Sequence, residues 1–112
     1  MKKFSFAVLS LLVLASMPAR AEDIKIDIKD YMFSPNKVTV TPGTKITWVN
    51  HDDVPHTIAD KNKRFRSSAL DTDESYSYTF TAPGTYEYFC TLHPQMLATI
   101  IVAAPAAGTT KK

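Results

Sequence analysis

The chain has a single cysteine, Cys90, and therefore no Cys-x-x-Cys pair. An intramolecular disulfide is excluded, and a structural zinc site built on paired cysteines is not indicated. In an oxidising compartment an unpaired thiol is a liability unless something occupies it. A buried core residue, an intermolecular disulfide or a metal thiolate would each account for Cys90.

The chain also lacks an apolar run long enough to span a bilayer, which takes about 20 residues. The N-terminal apolar run, residues 4–15, is shorter. It follows the basic start Met1-Lys2-Lys3 and precedes Ala19-Arg20-Ala21, which has the small-x-small form of a signal-peptidase site. These features predict a secretory signal peptide at residues 1–21, against the alternative of an uncleaved anchor. We expect export to a periplasm and no membrane insertion after cleavage.

No strong excess of one charge is present, since 13 Lys and Arg stand against 11 Asp and Glu. Cleavage after Ala21 would remove three basic residues and change the formal net charge from +2 to −1. Nucleic-acid binding is therefore not indicated. The remaining length predicts one small domain at residues 22–103, expected to be a monomer. Residues 104–112 lack a core-forming pattern and predict a disordered tail.

No stretch of ten or more residues has a helical period, and internal repeats are absent. Alternating apolar and polar residues instead predict short strands. They lie at residues 24–28, 38–40, 45–48, 75–80, 86–90 and 99–102, with a long polar connection at 60–74. Turns containing Pro-Gly, at Pro42 and Pro83, separate some of them. The pattern predicts an all-β fold, a Greek-key β-sandwich of about seven to nine short strands.

One short segment carries most of the chemistry. Cys90-Thr91-Leu92-His93-Pro94-Gln95-Met96 places a thiolate, an imidazole and a thioether three residues apart in turn. A second histidine, His56, lies upstream, directly after Pro55. Two His, one Cys and one Met are the donors of a blue-copper centre, which has a trigonal His₂Cys plane and a weak axial Met.

Strand alternation puts Tyr86, Tyr88 and Cys90 on one face, so Cys90 points inward if the tyrosines face the core. Thiolate and thioether donors favour copper over hard cations, and imidazole suits copper as well. Singly, the methionine could be core filler, the histidine a loop residue and the cysteine a small buried residue. Together the four predict one bound copper ion, with ligands His56, Cys90, His93 and Met96.

The same residues resemble a known family. The motif Cys90-Thr91-x-His93-Pro94-x-Met96, with Pro55-His56 upstream, is similar to that of the cupredoxins, the type 1 blue copper proteins. Among these the short Cys-x-x-His-x-x-Met loop is similar to that of the amicyanins, and the plastocyanins resemble it less. Further matching stretches lie at residues 33–50 and 83–90, so the resemblance covers nearly the whole chain after residue 21.

The resemblance implies a carrier of single electrons that cycles between Cu(I) and Cu(II), and not an enzyme. It implies that Asn50 hydrogen-bonds the ligand loop near the thiolate, and that the ring edge of His93 reaches solvent within a small apolar patch. The implied partners are redox proteins, namely an amine dehydrogenase or another dehydrogenase as electron donor and a cytochrome c as acceptor.

The sequence departs from the amicyanin pattern beside the ligands. Gln95 stands where the amicyanins have an aromatic residue, which makes the surface around His93 less apolar and leaves the choice of partner open. Leu97-Ala98 replaces a basic residue and a glycine, a change that affects loop packing and not the ligands. The basic run Lys61, Lys63, Arg64 and Arg66 is either a surface that steers an acidic partner or a solvated loop.

Two other functions stay open at this point. A copper delivery or storage module would use the same donors without electron transfer. Such sites usually contain several methionines, whereas the chain after residue 21 has only Met32 and Met96. A thiol–imidazole enzyme built on Cys90 would also need an orienting group and an oxyanion site, and no sequence feature identifies either.

Overall fold

The computed structural model describes residues 22–104, which form two four-stranded β-sheets. The strands are β1 (Asp23–Lys29), β2 (Met32–Ser34), β3 (Lys37–Val40), β4 (Thr44–Asn50), β5 (Ala59–Asp60), β6 (Ser75–Phe80), β7 (Gly84–Phe89) and β8 (Leu97–Val102). Across residues 22–104 the structure has no helix of the length and apolarity that a membrane crossing needs. The predicted signal peptide lies outside the described residues, and so does the predicted tail apart from Ala104.

The topology is that of a sandwich with crossing connections. One sheet has the order β2-β1-β4-β6 and the other β3-β8-β7-β5. β1 runs parallel to β4 and β3 runs parallel to β8, whereas the other neighbours are antiparallel. Parallel neighbours cannot be joined by a tight hairpin, so several connections cross from one sheet to the other. The predicted all-β Greek-key sandwich is confirmed, with a strand count inside the expected range.

Period-two patterning accounts for the longer strands. In β1, Ile26 and Ile28 are buried while Lys25 and Lys29 are exposed, and in β4 the same alternation buries Trp48. Because side chains of a strand point alternately to its two faces, one row from each strand enters the space between the sheets. The register of β1 against β4 keeps these apolar rows side by side.

An aromatic cluster around Trp48 fills the core. Its ring lies edge-on to Tyr88, with centroids 5.4 Å apart, and stacks on Tyr76 at 5.7 Å. The indole N–H of Trp48 donates a hydrogen bond of 3.1 Å to the Tyr88 hydroxyl, from one sheet to the other. Burial raises the pKa of Tyr88, so the phenol stays neutral. Both buried polar groups are thereby satisfied without water.

Several strand boundaries differ from the sequence prediction. β7 ends at Phe89, and Cys90 is the first residue after it. β8 begins at Leu97 and not at Thr99, because its pairing with β7 extends to the point where the chain turns. The sequence does not predict β2 or β5, since three and two residues are too few for an alternating pattern to be recognised.

The polar connection at residues 60–74 is anchored at two points. Phe65 is buried, with its ring stacked on Tyr78 at 4.7 Å between centroids. The fully buried carboxylate of Asp60 accepts hydrogen bonds from the guanidinium of Arg64 and from its backbone N–H. Burial acts to raise the pKa of Asp60, but the hydrogen bonds from Arg64 outweigh it and hold that pKa below its ordinary value of 3.8.

Asp60→Asn tests this anchor. Because the folded-state pKa is lowered, the carboxylate stabilises the fold above about pH 3.8, and the contribution is lost as the pH falls through the lower folded-state pKa. The variant should lose about 2 kcal/mol of unfolding free energy at neutral pH. As the pH falls below 4, the unfolding free energy of the variant should also decrease less than that of the wild type. Urea unfolding between pH 7 and about pH 2.5 measures both.

Asp53→Asn is the matched control, since that side chain is exposed. We expect it to leave the stability and its pH profile unchanged. An Asp60→Asn protein with the full acid dependence of the wild type would contradict the role given to this carboxylate.

Candidate metal centre

The register of the last two strands closes a short loop at one pole of the sandwich. β7 and β8 are paired up to their ends, so residues 90–96 must turn between them. The His93 N–H donates to the Cys90 carbonyl at 3.3 Å, and the Met96 N–H donates to the His93 carbonyl at 2.9 Å. The Cys90 N–H donates to the Met96 carbonyl at 3.2 Å and closes the base. The three-residue spacing in the sequence thus corresponds to two successive turns.

Three donor atoms converge at this pole. The Sγ of Cys90 lies 3.8 Å from Nδ1 of His56 and 3.7 Å from Nδ1 of His93, and the donor atoms of the cluster all lie within 4.8 Å of one another. An ion bonded to imidazole at about 2.0 Å and to thiolate at about 2.3 Å in a trigonal plane would separate nitrogen from sulfur by about 3.7 Å. The space between the three side chains therefore fits one metal ion, and a thiolate–imidazole set suits copper.

The predicted ligands differ in exposure. Cys90 and His56 are fully buried, whereas His93 is partly exposed. Met96 is buried as well, 3% exposed, and belongs to the hydrophobic core at the base of the loop. The one partly exposed donor is thus His93, the residue expected to reach solvent.

The carboxylate of Asp52 fixes the ring of His56. Its Oδ2 accepts a hydrogen bond of 2.8 Å from Nε2 of His56, which leaves Nδ1 facing the sulfur. The same carboxylate accepts the backbone N–H groups of Asp30 at 2.7 Å and Tyr31 at 2.9 Å. Burial acts to raise the pKa of Asp52, but the hydrogen bonds from Tyr31, His56 and Asp30 outweigh it and lower that pKa. A carboxylate on the far nitrogen is a usual way of orienting a metal-binding imidazole.

The tip of the β1–β2 hairpin covers both histidines. Asp30 and Tyr31 have φ values of +54° and +59°, the left-handed pair of a tight hairpin turn. The Tyr31 ring lies edge-on to His93 at 4.9 Å and to His56 at 5.4 Å between centroids. No sequence pattern marks Tyr31, because its place at the site depends on this turn and on Asp52.

Thr57 connects the sulfur to the ligand loop. Its backbone N–H donates to Sγ of Cys90 at 3.3 Å, and its hydroxyl lies 3.8 Å from the same atom. The hydroxyl also accepts the Thr91 N–H at 2.7 Å and lies 2.8 Å from the Thr91 hydroxyl. Hydrogen bonds to a ligating sulfur withdraw electron density from it and tune a copper site. The one sequence signal for Thr57 is its place directly after His56.

Asn50 has a different partner from the one expected. Its Nδ2 donates to the carbonyls of Val54 at 2.9 Å and Leu70 at 2.8 Å, and its Oδ1 accepts the Asp52 N–H at 2.9 Å. The expected hydrogen bond to the loop near the thiolate is therefore corrected. The fully buried amide of Asn50 makes its hydrogen bonds to the segment that leads to His56 and to Leu70. Thr57, and not Asn50, donates a hydrogen bond to the Cys90 sulfur.

Comparison with known proteins agrees with this geometry. Residues 4–102 match the family model described as a Cupredoxin-like domain. Amicyanin of Paracoccus versutus is 36% identical over 93 residues, which cover 79% of this chain and 69% of that protein. Amicyanin-alpha of Methylorubrum extorquens is 32% identical over 93 residues, covering 79% and 78%. The crystal structure of the Paracoccus versutus amicyanin aligns with a TM-score of 0.67 and 34% identity over 79% of this chain and 86% of that one.

Thr57→Val tests the connection between the sulfur and the loop. The loss of the hydroxyl leaves the Thr91 N–H without its acceptor, so the metal-free protein should lose about 1–2 kcal/mol of unfolding free energy. The copper-loaded protein should have a lower reduction potential, because less electron density is withdrawn from the sulfur. Urea unfolding and a redox titration measure the two effects.

Thr57→Ser keeps the hydroxyl and should retain most of both properties. If Thr57→Val is destabilised while its potential equals that of the wild type, the hydroxyl supports the fold and has no influence on the sulfur.

Proposed function

The chain belongs to the cupredoxin-like family, and from this premise we propose that it is a periplasmic type 1 copper protein that carries single electrons between redox partners. The observation that carries the proposal is the convergence of the Cys90 sulfur with one nitrogen each from His56 and His93 around a space that fits one ion. Bound copper would supply a one-electron couple between Cu(I) and Cu(II).

We assign His56, Cys90 and His93 as the ligands in the plane and Met96 as the weak axial ligand. The task of the chain is to keep these donors in place in both oxidation states. Asp52 holds one imidazole, the three backbone hydrogen bonds of the loop hold its turns, and Thr57 holds the sulfur. Electron transfer is fast when the ligands move little, because little energy is then spent on rearrangement.

The surface around His93 suits a short-lived contact with another protein. Within residues 22–104 four large apolar side chains are substantially exposed: Tyr31, Met32, Leu92 and Leu97. All four belong to the β1–β2 hairpin or to the loop and its junction with β8. A small apolar patch supports weak encounters that separate quickly, as a redox carrier requires.

The partners we propose are a dehydrogenase, such as an amine dehydrogenase, as donor and a cytochrome c as acceptor. The support is the similarity to the amicyanins, while Gln95 beside His93 replaces their aromatic residue. Export to the periplasm is proposed from the pattern of residues 1–21. Copper delivery is disfavoured because His56 and Cys90 are fully buried, so release of the ion would require the hydrogen-bonded loops to open.

Addition of copper(II) to the folded protein should produce an intense visible band at one equivalent, from thiolate-to-copper charge transfer. Cys90→Ser should abolish the band, because the sulfur donor is lost. An absorption titration measures both. His51→Asn is the control, since that histidine pairs with Asp27 at 2.8 Å, outside the cluster, and should leave the band intact. A folded wild-type protein with a free thiol and no band would refute the copper assignment.

Met96→Gln should retain one equivalent of copper and change the reduction potential, because three donors remain and the axial ligand tunes the couple. A redox titration of the loaded variant measures the change. Met32→Gln is the control at an exposed methionine, 59% accessible, and should keep the wild-type potential. Equal potentials in all three proteins would remove Met96 from the proposed ligand set.

A further inference from the structure

A cavity beside the metal pole is bordered by basic side chains. It lies between the start of the 60–74 connection and the end of β7 and has a volume of about 290 Å³. Phe65 and Phe89 contribute apolar lining, and Lys61, Lys63 and Arg66 contribute positive charge. Asp60 also lines the cavity, but its carboxylate is paired with Arg64. The described surface thus combines an apolar recess with positive charge at one place.

The concentration of charge here is unusual for this chain. Four of its 13 Lys and Arg lie between positions 61 and 66, although the whole chain is nearly balanced. Two of the four are paired with carboxylates: Arg64 with Asp60, and Lys61 with Glu87 at 3.3 Å. Within residues 22–104 no ion pair involves Lys63 or Arg66, and both are exposed. Two uncompensated cations therefore border the recess.

The cavity also borders the ligand loop. Thr91 contributes to its lining, and Phe89 and Thr91 are the chain neighbours of Cys90. Thr91 is joined in turn to Thr57, which donates to the Cys90 sulfur. A molecule bound in this cavity would therefore contact the two residues that flank the proposed copper ligand Cys90 in the sequence.

We propose that this cavity, with Lys63 and Arg66, is a docking site for an acidic redox protein that places a carboxylate side chain between the two cations. The proposal rests on the electron-carrier function proposed above. Charge complementarity argues for this occupant, because two free cations attract an acidic surface and repel a basic one. The four side chains of the apolar patch, Tyr31, Met32, Leu92 and Leu97, are uncharged. The basic site would therefore distinguish an acidic partner from a basic one, which these apolar side chains alone cannot do.

The first test maps anion binding with hexacyanochromate(III), a paramagnetic trianion that is not an electron acceptor here. Amide NMR signals of the Cu(I) protein should broaden selectively around residues 61–66, 89 and 91. Lys63→Glu/Arg66→Glu should abolish that broadening. Lys37→Glu/Lys45→Glu, with the same change of net charge at exposed positions in β3 and β4, should leave it unchanged. Broadening centred on His93, or spread equally over all lysines, would overturn the proposal.

The second test measures oxidation of the Cu(I) protein by hexacyanoferrate(III). One electron passes from Cu(I) to iron(III), giving Cu(II) and iron(II), and no proton is transferred. The charge reversal at Lys63 and Arg66 should lower the second-order rate constant by about tenfold at low ionic strength, and less at high salt. Oxidation by the cation tris(phenanthroline)cobalt(III) should become faster in the same variant. A control pair that slows hexacyanoferrate equally would show that net charge alone is responsible.

The two tests separate this proposal from the one on which it rests. If the protein binds no copper, hexacyanoferrate(III) has no Cu(I) to oxidise, and this result rejects the proposed electron-carrier function. The mapping needs only charge and shape, so on the metal-free folded protein it still supports the anion site or rejects it.

Discussion

The antiparallel pairing of β7 with β8 is the constraint on which the metal centre depends. Because the two strands are hydrogen-bonded up to Phe89 and Leu97, only seven residues remain to connect them. A connection of that length, closed at its base by the Cys90–Met96 backbone bond, takes the form of two consecutive turns. The positions of Cys90, His93 and Met96 follow from the register of the sheet before any metal is considered.

The fourth donor depends on contacts far apart in the sequence. His56 forms an isolated β-bridge with Leu70 and directly follows the segment held by Asn50, and Asp52 fixes its ring. The same carboxylate holds the β1–β2 hairpin over the histidines, so one acidic side chain joins the tip of this hairpin to the segment that carries His56. The Trp48–Tyr88 hydrogen bond ties the sheets together beneath this pole. The centre is therefore buried on the core side, and His93 is its one partly exposed donor.

Local features of the fold and site were predictable from the sequence, whereas several tertiary contacts at the site were not. Alternation in β1, β4 and β6 identified the strands, and the spacing of Cys90, His93 and Met96 indicated the loop, because both signals arise within a few neighbouring residues. Tyr31 and Thr57 escaped prediction since their roles come from a hairpin turn and from packing across the sandwich. The hydrogen-bond partner expected for Asn50 was wrong for the same reason. An amide has several donors and acceptors, and the sequence does not say which groups face it.

The carboxylate of Asp52 also determines the charge balance of the buried site. With the proposed ligands, Asp52 and the Cys90 thiolate contribute two negative charges, and the neutral imidazoles contribute none. Bound Cu(II) would compensate both, whereas bound Cu(I) would leave one net negative charge in a region largely shielded from water, where an uncompensated charge is costly. The oxidised state is thus the electrically neutral one. With copper bound to the proposed ligands, Asp52 would therefore favour the oxidised state, and the protein would be a weaker oxidant than the same four ligands without that carboxylate.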